Sequence, residues 1–332
     1  MHKLNNFGFL DGKLVAISGG TGLAGSAVAR LLCSSYSAKV RLIARSTSDS
    51  QGSGKATEFR QYDLLKRVGD GNPFEGADVA VLCAAVTAGV KGTSSNHANQ
   101  LLDNVSIDIN SLDLAVEAGV SRIIFVGTAS SYQEFEGFVS EDDLDWSRDP
   151  ASAHFGVGWA KRISERYCKR LHDETDVEFA ILRLANIYGP RAKFDEATSN
   201  FIPALIKKAA SRMDPFIVWG SPEVKRDILY VDDFAYAVAL CLDVQELGFN
   251  TYNAGSGTVV SVGEVVEKVL TASGHHPNKL QFENRGGSPL QFRGLDCRKI
   301  EAELGWVGTT SVDVGIKATA DWWLSNRKTW KR

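Results

Sequence analysis

Residues 13–25 read Lys-Leu-Val-Ala-Ile-Ser-Gly-Gly-Thr-Gly-Leu-Ala-Gly. An unbroken apolar run that ends at glycines marks a strand buried on both faces. The glycines fall at 19, 22 and 25, and a helical pattern follows over residues 23–35. Strand, GxxGxxG turn and helix in this order make a phosphate-binding unit. Gly19 permits the tight turn, Gly22 lets the backbone approach a pyrophosphate, and Gly25 lets the helix pack on the strand. The helix N-terminus adds free N–H groups and a partial positive charge. Thr21 and Leu23 complete the expected dinucleotide cradle.

Working outward, further strands are expected at residues 39–44, 58–62, 78–84, 122–126 and 177–184, with the clearest helix at 99–118. Strands that are apolar throughout and alternate with helices form a parallel sheet covered on both faces. The fold class is therefore α/β, a Rossmann-type doubly wound parallel sheet. After Gly189-Pro190 the pattern loosens into helices near 200–211, 231–243, 262–273, 298–304 and 312–326, with a short strand at 216–219. This half reads as a smaller mixed α/β lobe for substrate. The expected division is 1–185 for the dinucleotide-binding domain and 186–332 for the lobe, with part of the C-terminal segment returning to the sheet. A polar run at 46–54 reads as a loop.

Composition narrows the function. The 332 residues suit about two domains. Lys and Arg number 37 against 40 Asp and Glu, a net charge of -3, which argues against a nucleic-acid partner. No apolar run reaches the ~18 residues of a membrane span, and the N-terminus lacks a signal-peptide pattern. The five cysteines are scattered and form no CxxC pair, so no disulfide framework or zinc site is expected. His275-His276 lack a third ligand, and no metal is expected. The expected location is cytoplasmic.

The residue about 20 positions after the last glycine selects the cofactor. That residue is Arg45, with Arg41 nearby, and no acidic residue stands there. Arginine suits a 2′-phosphate, so NADP is favoured over NAD. Asp63 and Leu64, after the third strand, are placed to meet the adenine.

Further motifs follow in order: Leu82-Cys83-Ala84-Ala85, Val126-Gly127-Thr128-Ala129-Ser130-Ser131-Tyr132, Lys161, residues 184–191 (LANIYGPR), residues 225–233 (KRDILYVDD) and residues 296–306 (DCRKIEAELGW). On these the chain resembles the extended short-chain dehydrogenase/reductases, the NAD-dependent epimerase/dehydratase family of nucleotide-sugar enzymes. The run at 84–90 and the segment around Thr128 are most similar to the GDP-fucose synthase branch, which acts on GDP-4-keto-6-deoxymannose as epimerase and reductase.

The resemblance implies a Ser/Thr that binds the sugar oxygen, a Tyr acid/base, and a Lys that holds the nicotinamide ribose and lowers the Tyr pKa. Thr128 and Lys161 match. The Tyr position is Val157, which exchanges no proton. His154, Tyr132 or a water held by Thr128 are the candidate replacements. Otherwise the chain binds without turnover. The cofactor side further implies Ala84, Ala85, Ala185 and Ile187. The branch epimerises C3 and C5 with a Cys/His pair, whose positions here are Ser130 and Asn200, both poor bases. Ala129-Ser130 also lack the carboxylate a 4,6-dehydratase needs after the Thr. A reductase or epimerase at C4 of a nucleotide-diphosphate sugar remains. Its substrate-side residues are Thr87, Tyr132, Asn186, Arg191, Asn200, Arg226 and Arg293, the arginines because a guanidinium fork suits phosphate oxygens. The helices near 99–118 and 158–172 match those that pair two subunits in the family, so a homodimer is expected.

Overall fold

The computed structural model describes residues 8–46, 58–87, 97–195, 198–283 and 292–330. Of the expected loop at 46–54, all but Ser46 lies outside the described residues.

The strands are β1 (Leu14–Ser18), β2 (Lys39–Ala44), β3 (Glu58–Asp63), β4 (Val68–Gly69), β5 (Val79–Leu82), β6 (Arg122–Thr128), β7 (Gly137–Val139), β8 (Glu178–Leu184), β9 (Asn186–Tyr188), β10 (Phe216–Trp219), β11 (Lys225–Arg226), β12 (Ile228–Tyr230), β13 (Phe249–Ala254), β14 (Val260–Ser261), β15 (Leu280–Glu283) and β16 (Phe292–Leu295). The helices are α1 (Leu23–Ser35), α2 (His97–Glu117), α3 (Phe155–Glu174), α4 (Phe201–Ala210), α5 (Val231–Asp243), α6 (Val262–Ala272), α7 (Arg298–Leu304) and α8 (Val312–Asn326).

The main sheet has the order β13-β8-β6-β5-β1-β2-β3-β4. Every pairing is parallel except β3 with β4. The chain builds outward from β1 through β2 and β3, then returns to the other side of β1 with β5. That reversal is the switch point where doubly wound sheets bind ligands. Alternating strand residues feed two cores. Val15, Ile17 and Ile124 join one with α1 and α5. Ala16, Ile123 and Phe125 join the other with α2 and α3. Both faces are thus buried, as the continuous apolar strands require.

Two elements from beyond residue 186 return to the sheet. α5 is buried along nearly its whole length and packs with α1 against the sheet. β13, not expected at all, pairs with β8 from Phe249↔Phe179 to Ala254↔Leu184 and closes one edge. The lobe has its own core around Ile202, Ile206, Val218, Val266 and Ile316. It carries a four-stranded sheet, β14-β11-β16-β7, and the pairs β10-β15 and β12-β9. β9 leaves the carboxyl end of β8 after one residue, so the lobe is hung on the edge where the sheet's strands end.

Candidate active site at the carboxyl edge of the sheet

The glycine-rich turn lies in the switch-point crevice. Gly19 has φ +64°, and a Cβ there would stand 2.8 Å from the Ala84 backbone. A Cβ on Gly25 would stand 2.5 Å from the Gly19 carbonyl oxygen. Only glycine allows this approach of β1, α1 and the segment after β5. Gly22 is the N-cap of α1, which has no side-chain cap and no acidic residue in its first turn. The Ser26 N–H returns to the Gly22 carbonyl at 3.0 Å. The cradle, uncapped and without negative charge, fits a dinucleotide pyrophosphate.

The Ala84 N–H donates to Ser18 Oγ at 3.3 Å. Two residues on, Asn104 of α2 pins Val86 from both sides, accepting its N–H at 3.0 Å and donating to its carbonyl at 3.1 Å. Asp63 accepts the Leu65 N–H at 3.0 Å. Leu64 is buried in the core, so of that pair only Asp63 presents its side chain. Arg41 is not a phosphate ligand: it is buried, paired with Glu58 at 2.7 Å, and donates to the Pro73 and Glu75 carbonyls. Arg45 stands exposed just past β2.

The strand ends β6 and β8 deliver the remaining groups. Thr128 closes β6, and its Oγ1 accepts the Ser130 N–H at 3.2 Å, which leaves the hydroxyl proton free to donate. Opposite stands the first part of α3, with Val157 half-buried and Lys161 buried. The Lys161 ammonium donates to both carboxylate oxygens of Asp108, at 2.9 and 3.0 Å.

Between sheet and lobe lies a cavity of about 670 Å³. Its wall brings together Thr128, Ser130, His154, Ala185, Asn186, Ile187, Asn200, Arg226 and Arg293. The Asn186 amide donates to the Asp227 carbonyl at 3.3 Å. Asn200 is the N-cap of α4. Arg226 and Arg293 are aligned by the parallel pairing of β11 and β16, which sets them in register. Arg293 lies over the Phe135 ring, 4.7 Å from its centroid. His154, in a 3-10 turn before α3, faces this cationic wall. Burial, then Arg293, Arg226 and His97, push its pKa down to about 4, so the imidazole is neutral at neutral pH.

Three residues expected at the substrate do not line the cavity. Tyr132 is fully buried: its hydroxyl donates to Asn253 Oδ1 at 2.8 Å and accepts from Arg183 at 3.0 Å. It serves the core and is excluded as an acid/base. Arg191 is absent from the cavity wall; its guanidinium lies 5.9 and 6.0 Å from the rings of Trp322 and Trp330. Thr87 is also outside the wall, where it accepts from Lys193 at 2.9 Å, a link from the sheet to the lobe.

Several site residues escaped the sequence reading. Asn104, Asp108 and Ser111 are polar yet buried on α2, at the i, i+4, i+7 spacing of one face. Polar residues on an expected core stripe were the available sign. Trp219, Phe135 and Asp227 also wall the cavity, and no local spacing marks them. Among the described residues no cluster of ligands able to hold a metal occurs, and no helix is long and apolar enough to cross a membrane.

Comparison with known proteins agrees with this geometry. The model of the NAD dependent epimerase/dehydratase family matches residues 15–255. "Probable GDP-L-fucose synthase 1" of Oryza sativa subsp. japonica is 27% identical over 322 residues, covering 95% of this chain and 93% of the relative. "GDP-mannose 3,5-epimerase" of Arabidopsis thaliana is 28% identical over 272 residues, covering 80% of this chain and 70% of that one. Among solved structures, epimerase Mth375 from Methanothermobacter thermautotrophicus superposes with a TM-score of 0.83 at 22% identity, covering 97% of this chain and 95% of that one. A GDP-6-OMe-4-keto-L-xylo-heptose reductase from C. jejuni gives 0.81 at 20% identity, with 95% and 98% covered. The chain belongs to the NAD dependent epimerase/dehydratase family.

Proposed function

We propose that the chain is a cytoplasmic, pyridine-nucleotide-dependent reductase or epimerase that acts at C4 of a nucleotide-diphosphate hexose. The observation that carries this is one cavity joining two in-register arginines, Arg226 and Arg293, to Thr128 at the end of β6. The arginines clamp the diphosphate, since each planar fork donates two charge-assisted bonds. Asn186 and Asn200 add neutral polar contacts. Thr128 donates to the sugar oxygen, because its own oxygen is already engaged by Ser130 N–H. The relatives named above carry GDP-sugar names, which supports guanine as the base.

On the cofactor side, Gly19, Thr21, Gly22, Leu23 and Gly25 hold the pyrophosphate, with Ala84, Ala85, Ala185 and Ile187 along the crevice. Asp63 meets the adenine and Lys161 a ribose hydroxyl. Arg45 favours NADP. When bound, the nicotinamide supplies or accepts the hydride. With Tyr132 buried, the proton comes from His154 or from water on Thr128. The His154 imidazole is neutral, and binding of a diphosphate to its arginine neighbours removes two of the charges that hold it so.

The test is NADPH oxidation, and NADH oxidation in parallel, with GDP-linked 4-keto hexoses. Turnover that is lost in Thr128→Ala supports the reading. A second reading, a protein that binds without turnover, is favoured by Val157. GDP binding with neither oxidation of a dinucleotide by any keto sugar nor interconversion of C4-epimeric GDP-hexoses decides for it.

A further inference from the structure

α2 carries a carboxylate to the lysine that the cofactor crevice needs. Asp108 Oδ1 and Oδ2 accept from the Lys161 ammonium at 2.9 and 3.0 Å, and Oδ2 also accepts the Ser164 hydroxyl at 2.9 Å. Asp108 is 3% exposed and Lys161 5%. The Phe125 ring lies under the ammonium, 4.5 Å away. A buried pair of this kind is little screened by salt. The ammonium has three N–H bonds, more than one carboxylate takes up, so at least one remains to donate.

The other titratable groups that sense Lys161 are thiols: Cys83 just past β5, and Cys168 on α3. Burial pushes the first up to about 12 and raises the second well above its ordinary value, so both are uncharged at neutral pH. Position 157 lies one turn before Lys161 on α3, within side-chain reach. An isolated ammonium there would stabilise a phenolate strongly. The Asp108 carboxylate, bonded to the same ammonium, opposes that effect.

We propose that Asp108 is a positioning residue that closes Lys161 into a neutral ion pair, whose remaining N–H orients a cofactor hydroxyl while offering no net charge to a group at position 157. This rests on reading Lys161 as the cofactor-side lysine, and not on the identity of any sugar. Putting a tyrosine back at 157 therefore does not by itself give an acidic phenol.

Phenolate absorbance is titrated in the cofactor-free protein for Val157→Tyr, alone and combined with Asp108→Asn. The matching Val157→Phe proteins serve as blanks for the chain's eight native tyrosines. In Val157→Tyr alone the added phenol titrates at or above the ordinary ~10. With Asp108→Asn it falls by ~1–3 pH units, the effect of a nearby opposite charge. A phenol already well below ~10 in Val157→Tyr alone, or one that Asp108→Asn leaves unmoved, overturns the proposal. Should Asp108→Asn fail to fold, Asp108→Glu keeps the charge and must leave the phenol unchanged; a fall overturns the proposal. Failure of the nucleotide-sugar reading would show in substrate assays and leave these titrations untouched.

Discussion

His154 illustrates how one residue's chemistry depends on its neighbours. Its sequence context, a run before a helix, gave no hint of the two arginines that face it. Burial, and after it those arginines, hold its pKa down at about 4, against 6.5 for a free histidine. Between the two values the unfolded chain binds a proton that the folded chain refuses, so stability rises with pH across that window. The contribution is present above ~6.5 and is lost as pH falls toward 4, on the order of 3 kcal/mol. Urea midpoints measured across this range should flatten in His154→Asn; an unchanged slope would count against the assignment. Tyr132 makes the opposite point. Its place in the family-like segment suggested a substrate contact, but the hydroxyl is spent on Asn253 and Arg183. Tyr132→Phe should cost ~1–3 kcal/mol of stability, as buried partners are left unsatisfied. Nucleotide affinity should stay as in the wild type, and calorimetric titration alongside thermal melting separates the two effects.

At the scale of elements, the glycine turn was legible because glycine spacing has one steric meaning between a strand and a helix. The expected helices at 23–35, 231–243, 298–304 and 312–326 match α1, α5, α7 and α8 to the residue. Gly305, in the left-handed region, stops α7, and the Ser311 side chain caps the start of α8, both signals readable in the sequence. β13 was missed because Phe249–Ala254 (FNTYNA) neither alternates nor runs apolar, its two asparagines and a threonine interrupting the pattern, and because it lies far along the chain from its partner β8. The polar stripe of α2 was missed for a related reason: Asn104 and Asp108 are spent on groups distant in sequence, Val86 and Lys161. The cradle itself yields a sharp expectation. Gly25→Ala would drive a methyl group to 2.5 Å from the Gly19 carbonyl oxygen. Relieving that contact costs ~1–3 kcal/mol and opens the turn. NADPH affinity, followed by fluorescence, should fall at least tenfold; wild-type affinity would show that the turn does not bind the pyrophosphate.

At the scale of the whole molecule, the cavity forms between the lobe and the carboxyl ends of the sheet's strands. The lobe contributes Arg226, Arg293 and Asn200, the sheet Thr128, and the site exists only when both are folded together. Leu102 on α2 is 64% exposed and Ile163 on α3 41%, and we propose that these two helices pair two copies of the chain, as the family resemblance implies. Light scattering should give twice the chain mass of 36.1 kDa, and Leu102→Glu with Ile163→Glu should give the single mass without unfolding. A wild-type monomer would contradict the dimer.

The central claim is that the cavity between sheet and lobe receives a nucleoside diphosphate through Arg226 and Arg293. Calorimetric titration of GDP into the NADPH-loaded protein tests it most directly. The expected result is one saturable site, weakened roughly ten- to hundredfold by either Arg226→Gln or Arg293→Gln, the loss of a charge-assisted bond worth ~1.5–3 kcal/mol. GDP that does not bind, or that binds equally well to the double variant, would contradict the account.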